Sequence, residues 1–306
     1  MNLQTQTAVP SDKGWRIWWQ LTRPHTLTAA FVPVLLGTAL AINDNAIHFL
    51  LFTAMLVASL LIQAATNMFN EYFDYARGLD NENSVGIGGA IVRNGVKPKT
   101  VLGIGLAFFG LALLLGIYIS ASSSWWIAVV GAVSMAIGYF YTGGPRPIAY
   151  TPFGELTSGF FMGVVIIQIS FFIQTGYISK ESMLVSIPVS ILIGTIMLAN
   201  NIRDLDGDKV NGRKTLAILF GRKNAIKFLA SLFILSYSWI VLLIFVTDAS
   251  SWLLITFISI PKAYNAVKGF VGKTAPIEMM PAMKATAQTN TIFGFLMSIG
   301  IFISYL

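Results

Sequence analysis

The chain has 306 residues, 55% of them hydrophobic and only 11% charged, with a mean hydropathy of +0.72. These proportions exclude a water-soluble domain and predict an all-α polytopic membrane protein. Cysteine is absent, which excludes disulfide frameworks, thiolate metal sites and cysteine nucleophiles. A net charge of +7 would suggest nucleic acid in a soluble protein; here it is the excess of basic residues expected on the cytoplasmic side.

In chain order, residues 1–23 are polar and aromatic and read as lacking a cleavable signal peptide. Within them, Lys13-Gly14-Trp15-Arg16-Ile17-Trp18-Trp19 predicts an interfacial helix with its tryptophans at headgroup level. Hydropathy then predicts nine spans at roughly 26–43, 48–70, 100–120, 124–142, 154–176, 182–201, 225–246, 250–267 and 289–306. Charge supports the count independently. With the N-terminus in the cytoplasm and the C-terminus outside, 19 of the 20 Lys and Arg fall inside, and only Lys180 falls outside. Asp44, Glu181 and Asp248 fall in short outer turns, while the inner connections at 71–99, 202–224 and 268–288 are long. Trp125, Trp126 and Trp252 flank the outer turns as an aromatic belt would. The expected architecture is one integral-membrane domain over 1–306, in the cell membrane. Nine transmembrane helices surround a central cavity that opens to the cytoplasm.

Two polar stripes end hydrophobic segments on that face. Gln63, Asn67, Asn70 and Asp74 step by four, three and four residues; Asn201, Asp204 and Asp208 step by three and four. Each set lies on one helix face. Both contain N-x-x-x-D, as Asn70 to Asp74 and Asn200 to Asp204, and both run on into further acid, Asp80 in one and Asp206 and Asp208 in the other. Carboxylates and amides near a membrane face inward and mark function. Acids alone would suggest a cation site. The bases nearby, Arg77, Arg93, Lys97, Arg203, Lys209, Arg213 and Lys214, suggest Mg²⁺ holding a diphosphate, the bases neutralising oxygens that metal does not. Such a site stabilises diphosphate as a leaving group, and an apolar bundle keeps water from an allylic carbocation. A transporter or cation channel is the rival class, but its sites lie near the bilayer midplane rather than at span ends.

Other features are weaker. Gly86-Ile87-Gly88-Gly89 lacks the ending of a P-loop and reads as a loop. Tyr141, Arg146 and Tyr150, around the Gly143-Gly144-Pro145 turn, are candidates to bind an aromatic, acidic acceptor. His25 and His48 have no metal-ligand spacing and read as helix-end polar contacts. Met279 and Met280 read as packing, and Pro33 as a kink.

The opening Thr22-Arg23-Pro24-His25-Thr26 resembles that of the UbiA superfamily of membrane prenyltransferases. So do the stretches NMFNEYFDYARGLDNENSVGIGGAIVRNG at 67–95, YTGGPRPIAYTPFGE at 141–155 and NNIRDLDGDKVNGRKTLAILFG at 200–221. The likeness covers nearly the whole chain, and within the superfamily it is to the menaquinone-pathway branch. It implies Mg²⁺-dependent transfer of a polyprenyl group from polyprenyl diphosphate to 1,4-dihydroxy-2-naphthoate, with loss of carboxylate. A sibling acceptor such as 4-hydroxybenzoate is the alternative. It also implies that Asn70, Asp74 and Asp80 match the first aspartate motif and Asp204 and Asp208 the second. Asp74, Asp204 and Asp208 are then the catalytic metal ligands. Arg93, Lys97, Asn201, Lys209 and Arg213 are expected on the diphosphate. The superfamily spacing puts an acid where Gly78 stands here, which leaves the roles of Glu71 and Asp80 open.

Overall fold

The computed structural model describes residues 13–44, 47–80, 89–247 and 249–305. Asp248, Gly86, Ile87 and Gly88, named above, lie outside them. The regular secondary structure of the described residues is all helical, with no strand among them.

A short helix, α1 (Trp15–Leu21), leads into α2 (Pro24–Ala41), α3 (Phe49–Ala76), α4 (Pro98–Ser122), α5 (Trp126–Thr142) and α6 (Gly154–Thr175). Then follow α7 (Lys180–Val210), a short α8 (Leu216–Phe220), α9 (Arg222–Val246), α10 (Ile260–Phe270) and α11 (Pro276–Ser304). Seven of these, α2, α3, α4, α6, α7, α9 and α11, are long and apolar enough to cross a membrane. Helix α5 is apolar but shorter, and α10 continues a 3₁₀ segment, Ser251–Ser259, so the eighth predicted span is helical in two pieces. Helices α2, α4 and α11 begin on proline, which presets φ and lacks only an N–H that would have no helical partner. His48 caps α3 by accepting the Leu51 N–H, as its helix-end reading predicts.

Three predicted boundaries need correction. Helix α3 runs to Ala76, α7 to Val210, and α11 starts at Pro276, inside the predicted loop 268–288. The reason is the same each time. Hydropathy marks the apolar part of a helix, whereas the backbone hydrogen bonds continue into the polar phase. That continuation carries Asp74, Asp204 and Asp208 on rigid helix rather than loop.

The core forms around α2, α6, α7, α9 and α11, with Leu36, Ile167, Leu192, Leu229 and Phe293 fully buried. On the other side α3 packs along α4 and α5. Midway along α6 the backbone widens into a π-helix, Gly159–Val165, and Gly159 and Gly163 bring α6 against Ser190 of α7. A Cβ at Gly159 would stand 2.6 Å from the Ser190 carbonyl oxygen. Small residues at this spacing let membrane helices approach closely.

Pro188 interrupts α7 and leaves the Leu184 carbonyl without its intrahelical donor. The indole N–H of Trp239 on α9 donates to that carbonyl at 2.9 Å. Trp239→Phe should therefore lower stability by about 1–2 kcal/mol, since the carbonyl is left unpaired in an apolar setting. Thermal unfolding in detergent should show a midpoint a few degrees lower; an unchanged midpoint would show that the bond contributes nothing.

Candidate active site

The two acid stripes meet. Arg213, just past α7, donates to Asp74 Oδ1 of α3 at 2.9 Å and forms an ion pair with Asp208 Oδ1 of α7 at 3.0 Å. All three side chains are largely buried. Burial opposes charge on Arg213, but the carboxylates of Asp74 and Asp208 outweigh it and hold the guanidinium pKa above its ordinary value. Asp208 Oδ2 and Asn70 Oδ1 are buried with no hydrogen-bond partner. Asp204 is held by its neighbour Arg203 in a two-pronged pair, at 2.6 and 2.5 Å. Asp80 lies beyond the end of α3, where burial and then the Asp74 carboxylate push its pKa up to about 6.

The upper part of the first stripe has another use. Asn67 Nδ2 donates to the Thr22 carbonyl at 2.7 Å and to Thr26 Oγ1 at 2.9 Å, and Gln63 Nε2 also reaches Thr26 Oγ1 at 3.2 Å. These amides fix the corner between α1 and α2, and only Asn70 and Asp74 are left for the site. At that corner Arg23 adopts a left-handed backbone, φ 50° and ψ 68°, the one non-glycine residue with positive φ among those described. Such strain persists where its surroundings hold it. Its side chain lines the cavity and its Nε is buried without a partner. The sequence reading placed Arg23 in a motif but not among the site residues, because a side chain's backbone angle is not written in its identity.

Glu71 is not a metal ligand in this arrangement. It is 2% exposed and accepts the N–H groups of Gly89 at 3.0 Å and Ile91 at 3.3 Å, with Arg23 at 3.8 Å. It clamps the segment after the first motif onto α3. Glu71→Ala should leave two buried amides without acceptors, at about 2–3 kcal/mol. Hydrogen exchange at Gly89 and Ile91 should quicken by tenfold or more, by about 1.4 kcal/mol per decade; unchanged protection there would refute the clamp.

The candidate bases divide. Arg77 is taken up by structure: it donates to the carbonyls of Thr142 and Gly144, and so pins the turn after α5. It is not a free phosphate contact, contrary to expectation. Tyr150 stacks between Arg77 and Arg213, 5.6 and 5.0 Å from its ring centre. Arg93 lies over Gly89, its guanidinium filling the space where a Cβ would stand. Lys97, Lys209 and Arg146 are exposed and join none of the ion pairs among the described residues. Tyr141 is 9% exposed and lines the cavity wall. Asn201 donates from Nδ2 to Glu155 Oε1 at 2.8 Å, a carboxylate that the sequence reading left out of the site. The signal for it was an acid in the first turn of an otherwise apolar span.

Beside the acids runs a cavity of about 240 Å³. Its polar end carries Arg23, Gln63, Asn67, Asn70 and Asn200; the rest is walled by residues such as Met55, Ile62, Ile117, Ile127, Phe161 and Ile193 from α3 to α7. A charged head with an apolar tail fits this division.

The UbiA prenyltransferase family model matches residues 30–276. This chain belongs to the UbiA prenyltransferase family. It is 61% identical over 300 residues, 98% of this chain and 96% of the relative, to the 1,4-dihydroxy-2-naphthoate octaprenyltransferase of Bacillus subtilis. It is 25% identical to the enzyme of that name from Escherichia coli, over 94% of this chain and 95% of the relative. Among solved structures, a UbiA homologue from Aeropyrum pernix superposes with a TM-score of 0.69 at 13% identity, covering 92% of this chain and 98% of that one. A homologue from Archaeoglobus fulgidus bound to GPP and Mg²⁺ superposes at 0.64 and 16%, covering 92% and 99%. At those identities the likeness is one of fold. The chain is thus a UbiA-type membrane prenyltransferase, and its two aspartate motifs are brought together by α3 and α7.

The residues suit a divalent metal. No three His, Asp or Glu converge into a ready-made cage among the described residues. Mg²⁺ does not need one, since it is held by one or two carboxylates together with substrate phosphates and water. The guanidinium of Arg213 already stands as a cation between carboxylates of both motifs, and the unpartnered oxygens of Asn70 and Asp208 are hard donors.

Proposed function

We propose that this chain transfers a polyprenyl group from polyprenyl diphosphate to 1,4-dihydroxy-2-naphthoate, with decarboxylation, giving demethylmenaquinone in its reduced, quinol form. The observation that carries the reading is the meeting of Asp74 and Asp208 over Arg213 beside an apolar cavity. The relatives named for this reaction support the acceptor.

Asn70, Asp74, Asp204 and Asp208, with Asp80 beside them, would hold Mg²⁺; bound there, it neutralises the diphosphate as it leaves. Arg213 and Arg23 then turn toward oxygens of the diphosphate, supported by Asn201 and by Lys209, Arg93 and Lys97 from the rim. The apolar wall holds the tail and excludes water from the allylic carbon. Tyr141 and Tyr150 offer ring faces to that carbon or to the acceptor, and Arg146 offers a charge to the acceptor carboxylate. In the membrane, one domain over 1–306 crosses nine times: the seven long helices, α5, and the two-piece segment ending in α10. The partition of Lys and Arg supports a cytoplasmic N-terminus and site and an outer C-terminus, in the membrane we take to be the plasma membrane.

The test is purified protein in liposomes with farnesyl or longer prenyl diphosphate and 1,4-dihydroxy-2-naphthoate, with and without Mg²⁺, read by mass spectrometry. A prenylated, decarboxylated naphthoquinol that forms only with Mg²⁺ is the expected result. Product only with another aromatic acceptor would move the enzyme to a sibling reaction. No diphosphate release with any acceptor would overturn the reading.

A further inference from the structure

Glu155 is a buried carboxylate that the metal and diphosphate do not account for. It sits in the first turn of α6 and is 6% exposed. Oε1 accepts the Asn201 hydrogen bond, while Oε2 is buried and takes no hydrogen bond from another residue. A buried carboxylate oxygen is unfavourable unless a donor meets it.

Its neighbours indicate which donor. Asn201 belongs to the acid stripe of α7. On the other side, Thr157 and Ser158 of α6 and Asn200 of α7 line the cavity. Tyr141, also on the cavity wall, places its hydroxyl against Gly154 and Ser158. Glu155 itself does not line the cavity: it stands directly behind the wall formed by Tyr141, Ser158 and Asn200, level with the junction between the polar end and the apolar part. Its Oε1 contact is an amide donor rather than a cation, which sets it apart from Asp74, Asp204 and Asp208.

We infer that the Glu155 side chain turns into the cavity when the aromatic acceptor binds, so that Oε2 accepts a ring hydroxyl and takes its proton as the new bond forms, an inference that rests on the phenolic acceptor proposed above. The step balances. The O–H pair becomes the ring keto group, the ring carbon bonds to the allylic carbon, and the allylic C–O pair leaves with diphosphate. Loss of CO₂ returns the carbon–carbon pair to the ring, and Glu155 gives the proton back to the keto oxygen as the quinol forms. Glu155 ends as it began, and no other reagent is needed.

The test compares wild type, Glu155→Gln and Glu155→Ala with farnesyl diphosphate, Mg²⁺, 1,4-dihydroxy-2-naphthoate and its two mono-O-methyl ethers. Glu155→Gln should lower kcat on the naphthoate by about 100-fold, the usual range for a lost proton acceptor. It should leave the KM for farnesyl diphosphate and the thermal shift induced by farnesyl diphosphate with Mg²⁺ as in wild type. One methyl ether should be turned over by wild type about as slowly as the naphthoate is by Glu155→Gln. On that ether the substitution should lose little more, because the hydroxyl it served is gone. Losses that multiply on both ethers, or a raised KM for farnesyl diphosphate, would mark a merely structural role and overturn the inference. Wild-type kcat in Glu155→Gln would overturn it too. A wild type that forms no product with the naphthoate would overturn the acceptor reading, and this inference with it.

Discussion

Asp74→Asn and Asp208→Asn are each expected to lower prenyl transfer by at least about 100-fold, the scale on which loss of one electrostatic contact to a leaving group acts. Each removes a hard charged oxygen but keeps a hydrogen-bond acceptor of the same shape. Arg213 retains the other carboxylate in either variant, at 3.0 Å in one and 2.9 Å in the other. Neither substitution opens a cavity, so the thermal midpoint should move by no more than a few degrees. The measurement is turnover against Mg²⁺ concentration, beside thermal unfolding of the same preparations. Near-normal turnover in both variants would refute the metal assignment, whatever happened to stability.

Arg213→Ala should act in the opposite way on stability. Asp74 and Asp208 are 15% and 9% exposed, and the guanidinium is the cation that bridges them. Without it two poorly hydrated carboxylates share one site. Removing one partner of a buried ion pair is worth about 3–5 kcal/mol; water reaching these partly open side chains brings the expected loss to about 2–3 kcal/mol. A divalent cation can then take the place of the guanidinium. Millimolar Mg²⁺ should raise the unfolding midpoint of Arg213→Ala clearly more than that of wild type, because a ligand stabilises in proportion to its affinity for the folded state. Turnover should stay low even with Mg²⁺, since the diphosphate loses a two-pronged contact. Arg213→Lys should restore little, because one ammonium cannot bridge both carboxylates as the planar fork does. A variant as stable as wild type, or one whose midpoint ignores Mg²⁺, would show that Arg213 does not stand where the cation goes.

The sequence alone determined that this is a helical membrane protein, because composition and the length of apolar runs answer to the bilayer directly. It also determined that Asn70, Asp74, Asp204 and Asp208 share polar faces, because helical spacing is local. What it left open was decided by contacts between residues far apart in the chain. Glu71 stands in the first motif yet clamps Gly89 and Ile91, and Arg77 stands among bases yet pins the carbonyls of Thr142 and Gly144. Both look like site residues by type, and neither is free to serve as one. Arg23 and Glu155 show the reverse: one is singled out by a strained backbone angle, the other by a buried oxygen without a donor. Residue type and spacing fix which face of a helix a charge lies on. Which opposing charge or backbone group meets it depends on how α2, α3, α6 and α7 pack, and only the tertiary structure sets that.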